Sequence, residues 1–193
     1  MDDGRGTRAR ILDAAEQLFA ARGFAATATS AIAALAAVPK GLLFYYFPAK
    51  ADLLRTLVAE RLDLGPVDTA PLVETGNPVR SLLNVTKKLY ELQGASDVVR
   101  VIIQREQHTH PEVLAHLLEH RKHVQALIER VLQASVMRPL ASAPLRAAAQ
   151  AWVAILTVRP LTHRGSEPKR DDGADDLPAL AELICAGLTV GPV

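Results

Sequence analysis

Apolar residues recur at three- and four-residue intervals along most of the chain, the spacing of helices rather than strands. Over residues 7–21 they are Ile11, Ala14, Ala15, Leu18 and Phe19, with Thr7 placed to cap the helix and Arg22-Gly23 to stop it. Two short segments follow, 30–36 and 40–46, separated only by Ala37-Val38-Pro39. Ile32, Leu35 and Ala36 mark the apolar side of the first, which Thr27 or Thr29 can cap. Val38 plugs the turn, and Leu43 and Phe47 point back into a small core. Pro48 breaks the second segment, and residues 50–64 start a longer helix through Leu53, Leu54, Leu57, Val58, Arg61 and Leu62. Two short helices joined by so tight a turn form a helix-turn-helix layout, in which the second helix enters the major groove of DNA.

Gly65-Pro66 closes that helix, and the chain to Pro78 is loop-like. Further helical periodicity covers residues 79–93, 97–108, 111–136, 143–158 and 177–188, while the polar segment 163–176 reads as a flexible loop. With 49% apolar residues but only 4% aromatics, the composition suits helices packed on helices. The expected fold is all-α, with about nine helices. Residues 1–50 form the helix-turn-helix domain, extended to about 64 by the linking helix, and residues 51–193 form a larger helical domain.

The net charge of +1 names no partner, but its distribution does. Arg5, Arg8, Arg10, Arg22, Lys40 and Lys50 face only Asp13 and Glu16 across residues 5–50, so the basic excess lies on the proposed DNA-reading segment. Arg8 and Arg10 fall in the first turn of the expected helix, where its dipole disfavours cations and a phosphate would offset the penalty. Cys185 is the single cysteine, which excludes an intrachain disulfide. With no apolar leader and no stretch long enough to span a bilayer, a soluble cytoplasmic protein is expected.

The residues Ile11, Ala14-Ala15, Leu18-Phe19, Gly23-Phe24, Thr27, Ile32-Ala33, Ala36, Val38, Lys40-Gly41, Leu43, Tyr46-Phe47, Lys50 and Leu53-Leu54 together resemble the tetracycline-repressor (TetR) family of bacterial transcription regulators. The resemblance covers about a quarter of the chain. It implies a homodimer that binds a double-stranded, palindromic operator and is released by a small-molecule effector, most often as a repressor. It also implies which residues meet DNA: Thr29 and Ser30 on phosphate; Lys40, Gly41, Leu42, Phe44 and Tyr45 facing the groove; Tyr46 and Lys50 fixing register through phosphates. Three positions depart from the family pattern. Ala37 stands where Gly is usual, which suits a turn that avoids a left-handed backbone. Pro39 and Leu42 stand where hydroxyl residues are usual, and Leu42 would read a thymine methyl by apolar contact.

By the same resemblance the last two helices supply the dimer surface, through Leu145, Ala149, Trp152, Val153, Leu156, Leu180, Leu183, Ile184 and Leu188. An apolar or amphipathic effector would enter between the 79–93 helix and the Trp152 helix, with Gln104, Arg105, His108 and Trp152 as pocket candidates. His116, His120 and His123 share a helix face, but Glu119, Arg121 and Lys122 between them describe a solvated surface, so neither metal nor cofactor is expected. No catalytic constellation is visible, and an enzyme is not expected. The alternative is a helical small-molecule-binding protein or enzyme whose amino terminus only looks like a helix-turn-helix.

Overall fold

The computed structural model describes residues 3–92, 97–158 and 176–189. Among these residues the chain forms nine α-helices and one 3-10 turn, with no strand: α1 (Asp3–Arg22), α2 (Thr29–Leu35), α3 (Lys40–Tyr46), α4 (Lys50–Leu62), the 3-10 turn Ala70–Leu72, α5 (Pro78–Leu92), α6 (Asp97–Glu106), α7 (Pro111–Ser135), α8 (Ser142–Val158) and α9 (Asp176–Thr189). The all-α architecture is the one the periodicity predicts. Apart from Asp176, the predicted loop at 163–176 lies outside the described residues.

The chain divides into two compact units. The first joins Met1–Leu64 to Gln93–His120, so α6 and the beginning of α7, grouped by sequence with the larger domain, pack on the amino-terminal helices. Ile11, Ala15 and Phe19 of α1 meet Ile32 and Ala33 of α2, Leu43 and Phe47 at α3, and Leu53, Leu54, Leu57 and Val58 of α4. Val99, Ile102 and Ile103 of α6 and Val113 and Leu117 of α7 complete this core. Each fully buried Leu, Ile or Phe here stabilises the unit by about 1.5–3 kcal/mol.

Several local expectations change. Helix α1 begins at Asp3, so Thr7 is not its cap but a buried interior residue whose Oγ1 accepts from Arg10 Nη2 at 3.2 Å. Arg8 therefore lies beyond the first turn. It pairs with Glu60 of α4 and lies over the Phe47 ring, 5.5 Å from its centroid, and the Glu60 hydrogen bond raises its guanidinium pKa. Ala28, not Thr27 or Thr29, is the N-cap of α2, without a side-chain cap. Thr27 is buried, and its hydroxyl is within hydrogen-bond distance of the carbonyls of Gly23 (2.7 Å) and Leu18 (3.2 Å), which locks the α1–α2 connection. Arg61, placed on the apolar stripe of α4, turns instead to Glu16 (2.9 Å) and Asp13 (2.5 Å) of α1. Burial alone would lower its pKa, but the hydrogen bonds and charges of those carboxylates outweigh it and raise it.

The second unit joins Gly65–Leu92 to Arg121–Val193. Its centre is Trp152, 0% exposed, whose Nε1–H donates to Thr86 Oγ1 of α5 at 2.9 Å. Thr86 in turn donates to the Leu82 carbonyl at 2.9 Å. Helix α9 packs on both α5 and α8, burying Ala181, Cys185 and Leu188. Burial pushes the Cys185 thiol up to about 11. Trp152, Ala149 and Leu188 are thus covered within their own chain, which corrects their assignment to a surface for dimerisation. A Trp with a buried hydrogen-bond partner fills a core; it offers no face to a partner.

Candidate nucleic-acid interface

The turn between α2 and α3 is built from small residues because the two helices meet within a few residues at a bend of 102°. Ala36 caps α2, and Ala37 adopts φ +54°, the left-handed conformation that its Cβ disfavours. The expectation of a turn avoiding that conformation is therefore corrected. Val38 N–H returns to the Ala33 carbonyl at 3.0 Å, closing the turn over the core. Pro39 is the N-cap of α3, extended at φ −58° and ψ 141°. Its carbonyl accepts from Leu42 and Leu43 (3.0 and 3.2 Å), and the N–H that proline lacks is not needed at this position.

Buried Leu43 and Phe47 anchor α3 and orient the rest of it. Lys40, Gly41, Leu42, Phe44 and Tyr45 are all exposed, and Tyr45 reaches 78%. Tyr46 is half-buried and meets Tyr45 edge-on, with ring centroids 5.3 Å apart. Lys40 Nζ lies 5.8 Å from the Phe44 ring centroid. At the start of α2, Ser30 is exposed and Thr29 half-buried. Eight of the nine residues expected to meet DNA thus cluster on α3 and the first turn of α2, with a long cation and aromatic hydroxyls among them.

Lys50 differs. Its ammonium donates to the carbonyls of Phe24 (2.8 Å) and Thr27 (3.0 Å), approaches that of Ala25 (3.4 Å) and sits 4.3 Å from the Phe24 ring centroid. An ammonium has three N–H donors, and here they are directed at the carboxy-terminal side of α1 rather than at solvent. Lys50 is a clamp on the α1–α2 connection, not an outward-facing charge.

A second clamp holds the same connection from α6. Glu106, buried, accepts the Phe24 N–H at 2.9 Å through Oε1, while its Oε2 lies 3.5 Å from His110 Nε2. His110 also lies 3.3 Å from Glu112 and meets the Phe24 ring edge-on at 4.5 Å. Arg105 Nη1 donates to the Ala20 carbonyl at 2.8 Å, satisfying one of the free carbonyls at the end of α1. These contacts span 82 and 85 residues of sequence, and no local signal announces them. Of the residues expected to line a pocket, Arg105 binds α1, Gln104 and His108 are exposed in the first unit, and Trp152 is buried in the second.

Of the three histidines on α7, His120 carries its hydrogen on Nδ1 and donates it to the Leu62 carbonyl at 2.8 Å, His116 is half-buried and His123 exposed. Among the described residues, no group of three or more His, Cys, Asp or Glu side chains is arranged to hold a metal ion. Nor is any single described helix long and apolar enough to cross a membrane.

Residues 11–57 match the family described as bacterial regulatory proteins, tetR family. The HTH-type transcriptional regulator TtgR of Pseudomonas putida is 40% identical over 57 residues, covering 30% of this chain and 27% of that protein. YvkB of Bacillus subtilis (strain 168), an uncharacterized HTH-type transcriptional regulator, is 30% identical over 127 residues, 64% of this chain and 65% of that one. The chain therefore spans less than two thirds of the length of these curated relatives. The crystal structure of a TetR-like transcriptional regulator from Rhodococcus sp. RHA1 shares the fold, with a TM-score of 0.63 over 94% of this chain and 96% of that one at 23% identity. So does the multidrug binding protein EbrR complexed with imidazole, with a TM-score of 0.57 over 96% and 97% of the two chains at 18% identity.

Proposed function

We propose that this chain, whose residues 11–57 match the tetR family of bacterial regulatory proteins, is a sequence-specific DNA-binding transcription regulator, a repressor released from its operator by a small molecule. The observation that carries this reading is the exposed face of α3, held at 102° to α2 by buried Leu43 and Phe47. Such a helix fits the major groove with Lys40, Gly41, Leu42, Phe44 and Tyr45 toward the bases. Thr29, Ser30 and Tyr46 would hold the phosphates. Lys50 is better placed to set the orientation of α1 against the recognition helix than to touch the backbone of DNA.

One such helix reads too few base pairs for useful specificity, so a symmetric homodimer on a palindromic operator is the working form. The apolar positions of α8 and α9 that keep surface support it: Leu145, Val153, Leu156, Leu180 and Ile184 are half-buried, and Leu183 is 71% exposed. An apolar or amphipathic effector fits this reading in the second unit between α5 and α8, in competition with the Trp152–Thr86 contact. Displacement of α4, which directly follows the recognition helix, would move paired recognition helices away from the spacing of one DNA turn, about 34–36 Å. A coupling of about 1–3 kcal/mol is enough to lower operator occupancy severalfold or more. The site of action would be the cytoplasm, where the chromosome is.

A gel-shift with the DNA upstream of its own gene tests the proposal. A discrete complex that survives excess non-specific DNA, and that one compound of an apolar ligand panel dissolves, is expected. Absence of any specific complex at low salt overturns it.

A further inference from the structure

The recognition helix is unusual in what it lacks. From Lys40 to Tyr46 it contains no Arg, Asn, Gln, Ser, Thr, Asp or Glu, the side chains that read base edges by hydrogen bonding. Its only polar tips are the Lys40 ammonium and the two tyrosine hydroxyls. What faces outward instead is carbon: Leu42 is 36% exposed and Phe44 38%, on a helix whose inward residues, Leu43 and then Phe47, are already buried. A Cβ placed on Gly41 would meet nothing within 4 Å, so the surface beside Leu42 is open and the backbone there can approach a ligand closely. Burying two apolar side chains against DNA gives sequence information at only one base-edge group of the major groove, the C5-methyl of thymine.

From these observations we infer that the operator half-site presents thymine methyl groups to Leu42 and Phe44. Discrimination then comes from those methyls together with the hydrogen-bonded contacts that Lys40 and the Tyr45 hydroxyl can make. This rests on the DNA-reading function proposed above. It makes Leu42 and Phe44 specificity-determining residues, with Lys40 supplying the contact to guanine or phosphate. Pro39 contributes an apolar, donor-free approach at the start of the same helix.

The test uses the full-length protein and a duplex enriched by repeated selection from random DNA. Replacing thymine by deoxyuridine removes only the methyl and leaves every hydrogen-bonding group in place. Affinity measured by fluorescence anisotropy at fixed salt should fall about fourfold for each methyl contacted, or roughly 15-fold for one in each of two half-sites. The variants Leu42→Ala and Leu42→Ala with Phe44→Ala, checked for a cooperative melt above the assay temperature, should lose the uracil penalty stepwise. Uracil duplexes bound within twofold of the thymine duplex overturn the inference while leaving DNA reading intact. So does a full uracil penalty in the double variant. Selection that enriches no sequence overturns the regulator function itself, and this inference with it.

Discussion

The carboxylate of Glu106 accepts the backbone N–H of Phe24 at 2.9 Å, joining the end of α6 to the connection between α1 and the helix-turn-helix. Phe24 is held from its other side by Lys50, so the orientation of the DNA-reading helices depends on two charged groups that need never touch DNA. Replacing Glu106 by Ala leaves that N–H without its acceptor and should lower stability by about 1–3 kcal/mol. Glu106→Gln keeps an acceptor and should recover most of the loss. Urea unfolding and hydrogen exchange at the Phe24 amide measure both, and an unchanged midpoint in the Ala variant would remove the clamp from consideration.

Lys40 and Lys50 separate by their salt dependence. Lys40→Ala should reduce the slope of log Kd against log salt by about 1 if the ammonium neutralises a phosphate, with no change in melting temperature. Lys50→Met should do the reverse, lowering the melting temperature and leaving the slope intact. A Lys50 variant with native melting and a reduced slope would restore that residue to the DNA contacts.

Ala37 holds φ +54° at the turn. Glycine adopts that conformation without the Cβ clash, which costs an L-residue roughly 1–2 kcal/mol, although glycine also loses more backbone entropy on folding. Ala37→Gly should therefore stabilise the protein by about 0.5–1 kcal/mol, read as a higher urea midpoint at constant m-value. A destabilised variant would mean that the turn is not left-handed in solution.

Thr86→Val keeps the shape beside Trp152 but removes the acceptor for its Nε1–H, and should cost about 1–3 kcal/mol. Combined with Trp152→Phe, the two losses should sum to more than the double variant shows, because each removes the same bond. Additive losses in that cycle would mean the bond contributes nothing.

Burial raises the Cys185 thiol from 9.0 to about 11, so the fold favours the protonated form. The contribution of Cys185 to stability is complete below pH 9 and is lost as pH rises from there through about 11. The stability difference between the parent and Cys185→Ala should accordingly shrink over that window. At pH 8 a thiol reagent should react with the native protein about a hundredfold more slowly than with the unfolded chain, from thiolate fraction alone. Equal rates would exclude a buried thiol.

Helix positions were legible because the 3.6-residue period is local: the predicted segments 79–93, 97–108, 111–136, 143–158 and 177–188 reappear as α5 to α9 with small shifts at their ends. Helix ends were less legible. Thr7 and Thr27 have the chemistry of caps, yet both are buried, and Thr27 turns back to the Gly23 and Leu18 carbonyls at the end of α1 instead of forward to α2. The outward side of α3 was legible for the same local reason, since Leu43 and Phe47 mark its inner side.

What the sequence determined by itself was therefore the all-helical class, the helix-turn-helix and the side of it that faces outward, because each is set by residues within a few positions of one another. The tertiary structure alone decided where the charged and aromatic side chains are used. Arg61 goes to Asp13 and Glu16, Lys50 to the carbonyls of Phe24 and Thr27, Glu106 to the Phe24 N–H, and Trp152 to Thr86 rather than to a partner surface. A long side chain takes its partner from whatever the fold brings within about 3 Å. That is a property of packing, invisible in periodicity or spacing.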